Sequence, residues 1–471
     1  MVSVLLLMAC LVADSARAAE DLWTQTGPAS QDVRAMAVFS NTQLYFYAGT
    51  SARGVFLSSD GLHWAALNAG LTNLSITSIV GGNLVPCGAT CPIPPTVWVG
   101  TDGGGVFRSI GGDWTPVNNG LSSLSVSALA FGRGVLYVAT PTGLFKSIDF
   151  GASWTAVGDG LPSAGVVVVA VDPHDPANVY AGTIWTGTSE PVGGGVFRST
   201  DGGTTWTAAS NGLPVGGVNL TGGVRALTID PRSPSTMYAS LLNTHWCPAP
   251  CAAPPANSAN VYKTTNAGGH WTTSDVGLWI PVTSLLVDPF LPTTVYAAGY
   301  AGGGFGGVFR SVDGGASWAG VNAGLGNLDV RALAFDPQNS SILYAGTAGS
   351  GVFWNHFSPS GGLCSTGQAL CLVDGRFQAH VAWRSGSLSG TAEAVAITRS
   401  SGAFWFFDPT NLELVVKVLD GRSANGKWWV FYGALSNVEY TITVTDTVTG
   451  AVKTYFNPQG QLASFADTGA F

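Results

Sequence analysis

Hydrolysis of a glycosidic bond uses two carboxyl groups, about 6.5–9.5 Å apart when the configuration inverts, so acids without another explanation come first. Between Asp21 and Trp354 the only glutamate is Glu190, in a Gly/Pro-rich loop. The other unassigned acids there are Asp32, Asp102, Asp113, Asp159, Asp175, Asp275 and Asp329. No spacing marks two of them as a pair, so the catalytic residues stay unknown at this point. Three arginines sit in one recurring frame, Val33-Arg34-Ala35, Val224-Arg225-Ala226 and Val330-Arg331-Ala332. Asp32 and Asp329 stand two residues before two of them, and local ion pairing is the competing reading. Trp185, Trp246, Trp279 and Tyr300 lie in loops, with Glu190 close to Trp185. Aromatics with a few polar groups at a concave mouth suit a sugar or peptide ligand; the alternative is that they only pack.

Cysteines supply a second kind of chemistry. Six fall into local pairs, Cys87 with Cys91, Cys247 with Cys251, and Cys364 with Cys371. Six cysteines allow fifteen pairings, and sequence neighbours in loops favour the local set of disulfides. Zinc also uses closely spaced cysteines, but each pair has its own loop and only Cys247 has a histidine close by, His245. No metal site is expected. Disulfides imply an exported chain, and the apolar run Val2–Val12 followed by Ala16-Arg17-Ala18 reads as a signal peptide over residues 1–19. The seventh cysteine, Cys10, allows a lipid anchor as a minor reading. No cofactor is expected either: Gly193-Gly194-Gly195 leads into a strand, whereas a phosphate cradle leads into a helix.

The elements that must position these residues are strands. The chain has 471 residues with 64 Gly, 25 Pro and 16 Trp, and only 10% are charged. Gly and Pro at that density exclude long helices, and 46% hydrophobic content excludes a disordered chain. With 19 Lys+Arg against 27 Asp+Glu there is no basic footprint for nucleic acid, and after the leader no stretch is long and apolar enough to span a bilayer. A strand of small residues recurs as Tyr47-Ala48-Gly49-Thr50, Val99-Gly100-Thr101, Tyr180-Ala181-Gly182-Thr183 and Tyr344-Ala345-Gly346-Thr347. Seven copies of the unit lie between Asp32 and Trp354, about 46 residues each, the size of a four-stranded propeller blade. The seventh copy lacks a fourth strand, and Leu22-Trp23-Thr24 matches the missing piece.

The turn after the third strand follows Ser-x-Asp-x-Gly-x-x-Trp, in full at Ser147–Trp154, Ser199–Trp206 and Ser311–Trp318 and one residue short at Ser58–Trp64. An Asp side chain accepting bonds from turn amides accounts for it. The turns resemble the Asp-box, or bacterial neuraminidase repeat, of sialidases, xyloglucanases, sortilin-type receptors and photosystem II assembly propellers. That resemblance covers residues 22–354 and implies that Asp60, Asp149, Asp201 and Asp313 are structural, at the blade periphery away from the ligand face. It does not extend to a sialidase site, because the early Arg-Ile-Pro signature is absent and glutamates are too few. A xyloglucanase-like enzyme usually places its cleft between two propellers, and this chain holds one.

Past a linker at 358–362, residues 363–471 read as antiparallel strands, with clear alternation in Val438–Val444. Gly375-Arg376-Phe377, Trp383-Arg384, Phe404–Pro409 and Glu413–Gly421 look like an uncharacterised β module near the C termini of secreted bacterial proteins. Trp405, Trp428 and Trp429 are either a sugar-stacking surface or core. The expected fold is all-β: a seven-bladed propeller with Asp-box turns over 20–357, then a β-sandwich-like domain. The expected role is an exported, non-enzymatic binding or assembly scaffold, secreted or at the cell surface, for a glycan or extracellular protein. The alternative is a glycoside hydrolase with paired carboxylates at the propeller mouth.

Overall fold

The computed structural model describes residues 22–40, 43–82, 95–162, 165–184, 194–214, 223–241, 261–302, 304–357, 368–373, 376–398, 400–408, 411–447 and 449–471. Two compact units divide the chain, Met1–His356 and Phe357–Phe471.

Among the described residues the first unit holds seven four-stranded antiparallel sheets. Their first strands are Val33–Ser40, Ile76–Gly82, Ala128–Gly132, Val166–Val171, Val224–Ile229, Val282–Val287 and Val330–Asp336. Each lies beside the first strand of the next sheet, and the last lies beside the first, so the succession returns on itself. The seventh sheet takes its fourth strand from the start of the chain: Thr24–Gly27 pairs with Gly351–His356, placing Thr24 opposite Trp354.

The small residues of the second strand have a packing reason. A Cβ on Gly49 would come within 2.5 Å of Ile76 in the next sheet, one on Gly346 within 2.6 Å of Val33, and one on Gly100 would overlap Val126. Neighbouring sheets are therefore too close for any side chain at these points.

Turn tryptophans tie the same neighbours at the rim. The indole N–H donates to a carbonyl of the preceding sheet from Trp114 to Leu67 (2.8 Å), Trp154 to Val117 (2.7 Å), Trp271 to Ala209 (2.7 Å) and Trp318 to Ser274 (2.8 Å). Trp23 does the same to Val321 at 2.6 Å, so the amino-terminal strand is joined as a regular fourth strand. In the first and fourth sheets the bond stays local, Trp64 to Gly61 and Trp206 to Gly203.

Within each turn the Asp carboxylate collects backbone amides. Asp149 Oδ1 accepts from Ser153 N at 2.9 Å, Asp201 Oδ1 from Thr205 N at 2.9 Å, Asp313 Oδ1 from Ser317 N at 2.9 Å and Asp60 Oδ1 from His63 N at 2.8 Å. Lys146 and Tyr137 of the third sheet both donate to Gly202 O in the fourth sheet's turn, at 2.8 and 3.0 Å, and Lys263 and Tyr238 repeat this on Gly314 O. These lysines belong to the scaffold.

The second unit has two five-stranded sheets around one core. One contains Ala369–Leu372, Phe377–Ser385, Leu388–Thr391, Glu439–Asp446 and Val452–Asn457; the other contains Glu393–Thr398, Ser401–Trp405, Leu414–Gly421, Lys427–Ala434 and Ser464–Asp467. Phe377, Ile442, Phe404, Val416 and Trp428 meet inside. Trp428 is 4% exposed, with the Arg376 and Arg422 guanidiniums 4.7 and 4.6 Å from its ring, so it is core rather than a stacking surface. Cys371 is disulfide-bonded; Cys364, Cys87, Cys91, Cys247, Cys251, Cys10 and the residues 358–362 lie outside the described residues. No helix among the described residues is long and apolar enough to cross a membrane.

Replacing Trp271, 1% exposed, by Ala removes both its packing and its bond to Ala209, and the first unit should lose about 3–5 kcal/mol by chemical denaturation. Hydrogen bonds, led by the Ser153 and Thr205 hydroxyls, lower the pKa of Asp149 and Asp201 to about 2. A depressed carboxylate stabilises the fold above its unfolded value near 3.9 and loses that contribution as pH falls through the folded value. The D149N/D201N variant should therefore lose less stability than the wild type between pH 4 and about 2, measured by thermal melts.

Candidate functional site

In six of the sheets the pairing of the first two strands slips near the start of the first strand, skipping Arg34, Thr77, Val167, Arg225, Thr283 and Arg331. Each skip is a β-bulge, which leaves one residue outside the ladder and re-aims its side chain. This is the structural meaning of the repeated Val-Arg-Ala frame. The loops between second and third strands lie at the same end, since Val33 faces Thr50 and Val330 faces Thr347. The Asp60, Asp149, Asp201 and Asp313 turns are at the opposite end of the strands.

Charges meet where the seventh sheet adjoins the first. Arg331 grips Asp329 with two bonds, Nε to Oδ1 at 3.2 Å and Nη2 to Oδ2 at 3.1 Å, and reaches across to Asp32 through Nη1 at 3.1 Å. Arg34 Nε also bonds Asp32, at 3.3 Å. The hydrogen bonds it donates to Asp329 come first, and the charges of Asp32 and Asp329 add to them, in raising the pKa of Arg331 above the ordinary arginine value. Arg225, in the fifth sheet, is exposed and makes no hydrogen bond or ion pair among the described residues. Partial burial of the side chain, and then the charge of Arg331, lower its pKa, against an opposing pull from the Asp329 carboxylate. Between them Thr283 Oγ1 donates at 3.2 Å to Ala298 O or Val330 O, spanning the sixth and seventh sheets.

Asp102 stands at this end of the second sheet, and its carboxylate accepts a bond from Ser125 Oγ at 2.8 Å. Asp32, Asp102 and Asp329 thus belong to three consecutive sheets, with surroundings that differ: two guanidiniums at Asp32, one at Asp329, a hydroxyl at Asp102. Asp113 lies instead in the hairpin at the far end of the second sheet, and Asp175 bonds Ala177 N and Asn178 within its own turn at 3.0 and 2.9 Å. Asp172, Asp230, Asp288 and Asp336 each accept the amide two residues on, at 2.7–2.8 Å, as turn residues.

Of the aromatic loop residues, Trp279 is 49% exposed, its ring centre 5.7 Å from those of both Phe305 and Phe309 in edge-on contact, and Tyr300 is 37% exposed. Both flank the paired residues Val282 and Gly299 at the bulge end of the sixth sheet. Trp185, Glu190 and Trp246 lie outside the described residues. Among the described residues no three His, Cys, Asp or Glu side chains converge as a metal site. The local pairs Asp32–Arg34 and Asp329–Arg331 were legible from their spacing; the bond from Arg331 to Asp32 and the role of Asp102 were not, the only available signal being equivalent positions in successive copies.

Substituting Arg331 by Gln strands Asp329 and leaves Asp32 with Arg34 alone. Stability should fall by about 0.5–1 kcal/mol at low salt, the range of partly exposed pairs, and the loss should shrink at about 0.5 M NaCl as screening rises.

No family model matches the chain. A xyloglucanase of Hypocrea jecorina (strain QM6a) is 35% identical over 116 residues, 22% of this chain and 14% of that enzyme. The structure of a GH74 enzyme from Niastella koreensis aligns with a TM-score of 0.51 at 18% identity, over 95% of this chain and 73% of the enzyme. An ancestral GH74 enzyme aligns at 0.52 and 16%, over 92% of this chain and 63% of its own. PorZ, a surface component of the type-IX secretion system of Porphyromonas gingivalis, aligns at 0.53 and 15%, over 92% and 60%. The chain thus spans only a small part of its curated relative. The expectation of a non-enzymatic scaffold is corrected here: the curated relative and two of these structures are glycoside hydrolases, and the alternative is the better-supported reading. Nearly all-β, with four-stranded antiparallel sheets and these neighbours, the chain has a β-propeller architecture.

Proposed function

We propose that the chain is an exported glycoside hydrolase acting on a polysaccharide of the β-glucan class, xyloglucan included. Its scaffold is a seven-bladed propeller with Asp-box turns, followed by a β-sandwich module, with Cys87–Cys91, Cys247–Cys251 and Cys364–Cys371 as local disulfides. The observation that carries the reading is the presence of Asp32, Asp102 and Asp329 at one end of three consecutive sheets. An acid and a base need different surroundings. Asp32, between Arg34 and Arg331, suits the anionic partner that activates water. Asp102, whose carboxylate is bonded by a hydroxyl and no cation, suits the group that delivers a proton to the leaving oxygen. Trp279 and Tyr300, half exposed at the same end, offer faces on which a sugar ring stacks.

Release of reducing ends from xyloglucan and other β-glucans by the purified chain tests this. D32N and D102N should each cut the rate at least about 100-fold, the usual worth of a general acid or base, with the circular dichroism of the folded wild type retained. No release from any glucan, or full activity in both variants, removes the reading.

A further inference from the structure

We propose that the saccharide taken at this mouth carries a carboxylate, as a uronic acid does, and that Arg225 receives it. The inference rests on the reading that the mouth takes a saccharide. Three bulged arginines occupy equivalent places, and two come with an acid of their own two residues earlier: Asp32 for Arg34, Asp329 for Arg331. In the fifth sheet the same frame reads Gly223-Val224-Arg225, with glycine where the aspartate would be. A Cβ on Gly223 would sit 2.5 Å from Ile184 Cγ2 and 2.6 Å from its Cα, so the fold leaves no room for a built-in acid. Three guanidiniums along this arc face two carboxylates, and Asp102 is turned to Ser125. Arg225 is left exposed, with no bonded acid among the described residues, and within the fields of both Arg331 and Asp329.

The sister site shows which chemistry fits. Arg331 holds the Asp329 carboxylate by two nearly parallel bonds, the fork geometry that guanidinium offers to planar anions. A carboxylate brought by the ligand would complete the fifth sheet as Asp329 completes the seventh. Trp279, in the adjoining sixth sheet, would meet the ring that carries it.

The test compares a xylo-oligosaccharide bearing one glucuronic acid with the same compound methyl-esterified, by calorimetry on the full chain. The acid should bind at least about tenfold tighter, and about 0.5 M NaCl should weaken the acid alone. R225Q, with an unchanged melting temperature, should erase the difference. Equal binding of acid and ester, salt-insensitive binding, or a preference surviving in R225Q overturns the inference; so does an oligoglutamate peptide that binds as tightly as the acid sugar. If R225Q does not fold, the salt and ester comparisons on the wild type still decide. Cleavage of neutral glucans without acid preference refutes this inference and leaves the hydrolase. Acid preference without cleavage of any glycan does the reverse.

Discussion

An indole N–H given to a backbone carbonyl of the preceding sheet joins five of the seven sheets to their neighbours. Trp114, Trp154, Trp271, Trp318 and Trp23 all make it. Each bond alone is worth about 1 kcal/mol net, but it fixes a ring that buries a large apolar area. The glycines of the second strands then let the sheets close up. A repeat protein is held by such neighbour terms more than by its isolated units.

Those seams divide labour between the two ends of the sheets. At the turn end, Asp60, Asp149, Asp201 and Asp313 spend their acceptors on their own backbone, and the lysines beside them on a neighbour's carbonyl. At the other end, one bulge repeated in six sheets carries Arg, Thr or Val, so identical backbones present different chemistry. The arginines occupy the arc from fifth sheet to first, while Thr77 and Val167 face the remainder. Side-chain variation at a fixed bulge is enough to gather the arginines on one arc of this end.

Much of the ring was legible because its signals are local. The Tyr-Ala-Gly-Thr strand and the Asp turn are complete within a few residues, and Trp23 could be placed because the seventh copy lacked a fourth strand. The second unit was harder. Leu388–Thr391 is exposed throughout and Ser464–Asp467 nearly so, so neither carries an alternating pattern, and both escaped notice. Leu414–Gly421 was found with its start two residues early. At the site, ion pairs two residues apart could be read, whereas Arg331 and Asp32 are 299 residues apart and meet only because the ring returns to its beginning. The scaffold reading was overturned by likeness to glycoside hydrolases, which no short motif in the chain announces.

The strand Thr24–Gly27 leaves the ribosome before any other described strand, yet its partner Gly351–His356 is made last among the seven sheets. Until that partner exists it has no strand to pair with, an edge of the kind that invites mispairing. Its capture must wait for a contact of very high sequence separation, the type that slows folding. The circle is thus latched by its oldest segment, at the opposite edge of the same sheet whose first strand carries Arg331 to Asp32.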